Sequence, residues 1–245
     1  MRRFARIAVL ACVLLLELVA SRAYALRPYD GTDADVAGPK EFELELGPVQ
    51  YLREGGNKGV IAPAAIANFG IEHDREIVIE GKLKHLFSAE PGEHKTSVVD
   101  TALSVKQVHR RGSMQDEAGV SVASECGWLL PTVHGGSGTG LACAAILSQR
   151  WAAATVHLNG LFGRTRDHEW NRFFGVIVEG PDVWTVRPVA EVFTEHDSGG
   201  GYTHSALVGA IWRSREKLSF DFAVRTARTN GPGITEVRAG FTIVF

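Results

Sequence analysis

Thr235-Glu236-Val237-Arg238-Ala239-Gly240-Phe241-Thr242-Ile243-Val244-Phe245 is the stretch whose reading decides the fold. Every second residue from Val237 to Phe245 is apolar, while the alternate set holds Glu236, Arg238, Gly240 and Thr242. A period of two puts the two sets on opposite faces of an extended strand. The edge of a soluble sandwich could hold such a strand. A strand greasy on one face up to a closing aromatic is what the outer surface of a membrane-spanning barrel asks for.

The same stretch resembles the C-terminal assembly signal of bacterial outer-membrane proteins, with Arg238, Gly240, Ile243 and Phe245 in its polar, glycine, hydrophobic and aromatic places. That resemblance implies two partners, the barrel-assembly machinery and outer-membrane lipid. The other end of the sequence agrees. Arg2, Arg3 and Arg6 precede an apolar run from Ile7 to Ala20, and Ala23-Tyr24-Ala25 supplies a small-x-small cleavage pattern. Residues 1–25 are therefore expected to be a cleaved signal peptide, which sends the chain of a Gram-negative bacterium through the inner membrane to the outer one. No apolar run beyond it is long enough for a spanning helix, so a membrane-crossing form must be a closed barrel.

Between these ends the chain repeats one rhythm. Residues 26–39, with Asp30, Asp33, Asp35, Gly31, Gly38, Pro28 and Pro39, show no period and read as a flexible, solvated leader. Residues 40–245 read as the barrel. Phe42, Leu44 and Leu46 alternate with Glu41, Glu43 and Glu45 in a strand running to Leu52. Ile77, Ile79 and Leu83 oppose Val78, Glu80, Lys82 and Lys84, and the pattern recurs to Leu218, Phe220, Phe222 and Val224 against Ser219, Asp221 and Arg225. The expectation is a closed antiparallel all-β barrel of about twelve strands, within ten to fourteen, both termini periplasmic, since such barrels have even strand numbers. Longer connections around Gly55, Pro91, Gly136, Asp167, Gly200 and Gly231 are expected outside. Trp128, Trp151, Trp170, Trp184, Tyr202 and Trp212 fall near strand ends, where membrane girdles place aromatics.

The face opposite the aliphatics carries Glu80, Lys82, Lys84, Asp100, Lys106, His157, Asn159, Arg187, Glu191, Asp221, Arg225, Glu236 and Arg238. In a barrel these line the lumen. Two readings stand: a narrow aqueous path, or a salt-bridged polar core that plugs the interior, because barrels near this size leave little free width. Cys126 and Cys143 flank a glycine-rich turn and can meet across a hairpin as a disulfide or remain two buried thiols.

Other chemistry is weak. Gly136-Ser137-Gly138-Thr139-Gly140 lacks the lysine and the following helix of a phosphate-binding loop. His204 and Ser205 are strand neighbours that point to opposite faces, so they cannot form a hydrolase dyad, and His196 with Ser198 borders a glycine-rich loop. The histidines lack metal-site spacing. The expectation is no catalytic residue, no enzyme activity, no metal and no cofactor. Net charge is −2, which argues against a nucleic-acid partner.

Leu26-Arg27-Pro28-Tyr29-Asp30-Gly31-Thr32-Asp33-Ala34-Asp35-Val36, Phe42-Glu43-Leu44-Glu45-Leu46-Gly47-Pro48, Ala67-Asn68-Phe69-Gly70 and Glu236-Val237-Arg238-Ala239-Gly240 are similar to stretches of a proteobacterial family of outer-membrane transporter proteins. That family resembles the proteins encoded beside aromatic-degradation pathways of the phenol meta-cleavage type. The resemblance implies a porin-like barrel that takes up small molecules, hydrophobic or aromatic ones among them, as its solute partners. The rivals are an outer-membrane lipid-modifying enzyme and a structural barrel with a plugged, salt-bridged lumen.

Overall fold

Alternating strands with one apolar face can satisfy every backbone group and leave no open edge only by closing on themselves. The computed structural model describes residues 27–89, 94–134, 136–230 and 233–245, so the expected signal peptide lies outside the described residues. It shows that closure. β1 (Phe42–Gly47) and β2 (Gln50–Glu54) are followed by β3 (Asn57–Ile71), β4 (Arg75–Leu86), β5 (Thr96–Arg110), β6 (Ser121–Leu129), β7 (Gly140–Arg150), β8 (Thr155–Arg164), β9 (Trp170–Glu179), β10 (Val186–Asp197), β11 (Gly201–Arg215), β12 (Leu218–Thr229) and β13 (Gly233–Val244). From β2 onward each pairs antiparallel with the next, and β13 returns to β1 and β2, which both also pair with β3. β1 and β2 are thus halves of a single stave, interrupted where Pro48 has no N–H to donate to the ladder. The barrel has twelve staves, as the sequence pattern leads one to expect.

The closing seam is made by the residues that end the chain. Leu44 faces Ile243 and Leu46 faces Phe241 across β1 and β13. The Phe245 N–H donates to the Phe42 carbonyl at 2.9 Å, and the Phe245 ring stacks on Phe42, which stacks on Phe69. Phe245 and the start of β1 therefore meet at one rim, called here the terminal rim.

Loop length does not separate the rims as expected. Gly55-Gly56 alone joins β2 to β3 at the far rim, while 180–185 spans six residues at the terminal rim; the ten-residue connection 111–120 there, around a short 3-10 turn (Ser113–Gln115), is the exception the sequence already marks. The reason is that the strands themselves run further at the far rim. β10 and β11 stay paired as far as Asp197 and Gly201. Pro63 lies well inside β3, at a register shift between Ile61 and Ala64 that absorbs its missing N–H.

Outward residues form an apolar band between two aromatic belts. Trp128, Trp170 and Tyr202 are exposed towards the far rim, and Trp151, Trp184 and Trp212 towards the terminal rim. Tyr202 and Trp212 sit on one strand, ten residues apart. With a rise of about 3.3 Å per residue and a tilt of about 40°, that separates the belts by roughly 25 Å, the height of a bilayer's apolar band. Cys126 and Cys143 face each other across β6 and β7 and are joined by a disulfide on this outer surface.

Residues 27–39 overturn the expectation of a solvated leader. They run along the inner wall and bond to it nearly all the way round. Gly70 on β3, Glu76 on β4, Ser148 on β7, Asn159 on β8, Glu191 on β10, Arg238 on β13 and Glu45 on β1 each hold part of this segment or the residue that follows it. Ala34 is wholly buried against Val108, Ala123 and Ile146, in a small core inside the barrel. The physical reason is width. Twelve staves enclose more room than wall side chains alone fill, and a segment with hydrogen-bonding side chains and a free backbone fills it.

Candidate functional site: the occupied lumen

The inward positions set the site. On β12 and β13 these are Asp221, Arg225, Glu236 and Arg238, and the last three converge on the leader's Asp30. Asp30 forms an ion pair with Arg225 at 3.0 Å through one carboxylate oxygen and accepts a hydrogen bond from Arg238 at 2.9 Å through the other. Glu236 bridges the same two arginines, at 3.0 Å to Arg225 and 2.8 Å to the Arg238 Nε. Arg238 also donates to the Pro28 carbonyl, and Arg225 lies over the Phe193 ring. Two cations and two anions balance here, and only Asp30 and Pro28 belong to the leader.

A second group holds the leader's middle. Asn159 makes a two-way amide pair with the Thr32 backbone, and Glu191 accepts the N–H groups of Asp30 and Gly31 at 2.8 and 2.7 Å. Lys106, wholly buried, reaches Asp33 at 3.1 Å and Glu76 at 3.6 Å. At the terminal rim, Arg187 binds Glu179 and Asp182, and Arg213 joins Asp182 at 2.7 Å. Burial works to raise the Asp182 carboxyl, but the hydrogen bond and charge of Arg213, with Arg150 and Arg187 adding, outweigh it and hold the group below the usual carboxylate range. This clasp also explains why β10 begins at Val186 and not at Val183, since 180–185 forms a turn around Asp182.

Two cavities lie on either side of the leader. The larger, about 450 Å³, occupies the far half of the lumen above Pro28 to Thr32. One part of its wall is apolar, with Leu129, Leu161, Phe173 and Phe193; another is charged, with Lys82 and Asp100 paired at 3.0 Å, and Arg225. Arg166 folds in from the β8–β9 loop and donates to the carbonyls of Thr101 and Leu130, fixing the rim of this vestibule. The smaller cavity, about 330 Å³, lies between the leader's Asp33 to Pro39 and the terminal rim, against Asn68, Glu76 and Lys106.

The expected lining residues therefore divide. Glu80, Lys82, Asp100, Asn159, Arg225 and Arg238 border the larger cavity and Lys106 the smaller. His157, Arg187, Glu191, Asp221 and Glu236 are inward and buried but border neither; Lys84 pairs with Glu54. Sequence reasoning missed the leader itself. The only signal was its acidic residues, separated in sequence from their arginine partners by about the length of the chain. It also missed the apolar inner wall of Ile146, Ile177, Val189, Leu207 and Ile211, all fully buried.

One constellation has a hydrolase's residue types. Ser148 Oγ lies 2.8 Å from His157 Nδ1, and His157 Nε2 lies 3.7 Å from Glu179. All three are buried, neither cavity reaches Ser148 or His157, and Ser148 Oγ accepts the Ala34 N–H. Its role is to brace the leader. His204 points outward while Ser205 points inward and accepts from Arg225, and Ser198 donates to Glu169. Among the described residues no three His, Cys, Asp or Glu side chains are grouped to hold a metal.

A closed, antiparallel, twelve-stave barrel with an outward apolar band and a polar, occupied lumen is the architecture of outer-membrane β-barrel proteins. Solved structures agree on the fold. The chain is similar to an outer-membrane channel from Pseudomonas putida F1, with a TM-score of 0.60 at 10% identity over 89% of this chain and 100% of that one. It is also similar to the KdgM porin solved in complex with disordered oligogalacturonate, with a TM-score of 0.52 at 10% identity over 84% of this chain and 99% of that one. The translocator domain of the autotransporter NalP from Neisseria meningitidis follows at 0.50, with 11% identity over 86% and 90%. No family model and no curated protein matches the sequence.

Proposed function

We propose that the protein is an outer-membrane channel for small, amphipathic or aromatic molecules, closed in the resting state by its own leader. The observation that carries this reading is the pair of cavities in the lumen, one on each side of residues 27–39. A barrel built solely as a scaffold has no need of a vestibule. The larger cavity falls within the size range of small-molecule pockets, roughly 300–1,000 Å³. Its apolar and charged sectors suit a solute with an aromatic body and a polar edge. The resemblance of the leader and first strand to proteins encoded beside phenol meta-cleavage pathways supports the same solute class. In this reading the far rim faces outward and the terminal rim faces the periplasm.

Planar-bilayer recording of the refolded protein tests it. The parent should show brief, infrequent openings, and a variant lacking residues 27–39 a sustained conductance. Liposome swelling driven by small phenols or aromatic acids should accelerate in the same order. A leader-less barrel that stays folded and conducts no more than the parent would refute the channel and leave the plugged scaffold.

A further inference from the structure

The outer surface just below the far rim holds a row of basic side chains, four of them Arg or Lys, with no carboxylate among the described residues to pair them. Arg172 faces His196 across β9 and β10, His204 faces Arg228 across β11 and β12, and Arg53 faces Lys58 across β2 and β3. All six alternate with buried or cavity-lining neighbours and so point outward, and all but His196 are exposed. Between Arg228 and Arg53 stands β13, which offers only Gly233, Ile234 and Thr235 at this level. Two cations directly opposite one another, as Arg53 and Lys58 are, destabilise a sheet, and with Arg172 and Arg228 along the same rim they call for an anion.

Inside the barrel every wall cation named above is paired with a carboxylate, whereas Arg53, Lys58, Arg172 and Arg228 have no ion pair among the described residues. No outward position on β9 to β13 or β2 at this level carries a carboxylate. The surface towards mid-barrel is apolar and exposed, with Phe174, Val192, Val208 and Val224. Tyr202 and Trp170 stand at the boundary. Cations at the edge of an apolar band, above a surface for acyl chains, match one kind of molecule: a lipid whose headgroup bears several phosphates.

We propose that this row is a docking surface for a multiply phosphorylated glycolipid of the outer leaflet, phosphates seated on the Arg172, Arg228 and Arg53 pairs and acyl chains lying on Phe174 to Val224. The inference rests on the membrane reading given above. A solvated charged face would place counter-charges nearby, and among the described residues the strands beside the row supply none.

The test uses the refolded full chain in detergent micelles, with bound lipid counted by native mass spectrometry. The probes are diphosphoryl lipid A, the same lipid without its phosphates, phosphatidylglycerol and inorganic phosphate. Each surface cation strengthens binding to an anionic lipid by about fivefold, so R53Q/R172Q/R228Q should bind lipid A about a hundredfold more weakly. Arg75→Gln, an exposed cation at the opposite rim, should bind as the parent does. These positions are exposed, so the variants should keep the heat-modifiable gel mobility of a folded barrel. Parent-like lipid A binding by the triple variant would overturn the proposal. So would equal binding of dephosphorylated lipid or phosphatidylglycerol, and displacement of lipid A by inorganic phosphate at matching concentration would reduce the row to an ion site. Flotation of the protein with liposomes separates the two readings: failure to float sinks the membrane assignment, while floating protein with an indifferent triple variant sinks only this one.

Discussion

Asp30→Asn should turn a mostly closed channel into one that opens often, and the size of the effect follows from the contacts. The substitution keeps the shape of the side chain and removes the charge that two buried arginines share. Asp30 supplies one oxygen to Arg225 at 3.0 Å and the other to Arg238 at 2.9 Å, and its side chain is 22% exposed against 10% and 8% for the arginines. A hydrogen bond to a charged group contributes about 1.5–3 kcal/mol net, and the low end suits a partly exposed carboxylate. One such bond from Arg238 and the ion pair with Arg225 together give about 3 kcal/mol, or roughly a hundredfold in the ratio of undocked to docked leader. The arginines keep Glu236, so the wall stays folded and the loss falls on docking. Single-channel recording at fixed salt would read the change as a rise in opening frequency. Glu117→Gln, which breaks a solvated pair with Arg111, serves as the control and should leave opening unchanged. An Asp30→Asn channel that opens no more often than the parent would refute the idea that this cluster locks the leader. One indistinguishable from the leader-less form would refute the idea that the lock is shared with Glu191, Asn159 and Lys106.

Other perturbations separate assembly, stability and gating. A Cβ at Gly70 would collide with the Gly38 carbonyl oxygen, so Gly70→Ala should loosen the leader's exit by about 1–3 kcal/mol and raise opening frequency without unfolding the barrel. Replacing Cys126 and Cys143 with Ser removes a bridge between residues separated by 17 in sequence, at a cost of about 3 kcal/mol, seen as unfolding at lower urea. Conductance should not change, because the bridge lies on the outer surface. Deleting Phe245 removes a backbone hydrogen bond and an aromatic pair, together about 2 kcal/mol. Membrane-inserted yield should fall well beyond the loss in detergent refolding; an equal fall in both would make Phe245 a stabilising residue and not an assembly signal.

The barrel was legible because its two faces meet different surroundings. An outward residue such as Phe222 and an inward one such as Asp221 differ in kind, so the period of two survives along every stave and fixes the number of strands. Irregularities were less legible, since they answer to single contacts. The break after Gly47 needs only Pro48, which the sequence shows, but the shift at Pro63 and the late start of β10 depend on what lies across the sheet. The leader was the least legible part for a physical reason. It has no period because it belongs to no ladder, and its partners lie far along the chain; Arg238 is 208 residues from Asp30. A segment with three aspartates and two prolines looks solvated when read locally. Only closure of the barrel brings Arg225 and Arg238 to face it, and only then do buried cations make its carboxylates the cheaper alternative to leaving two arginines half paired.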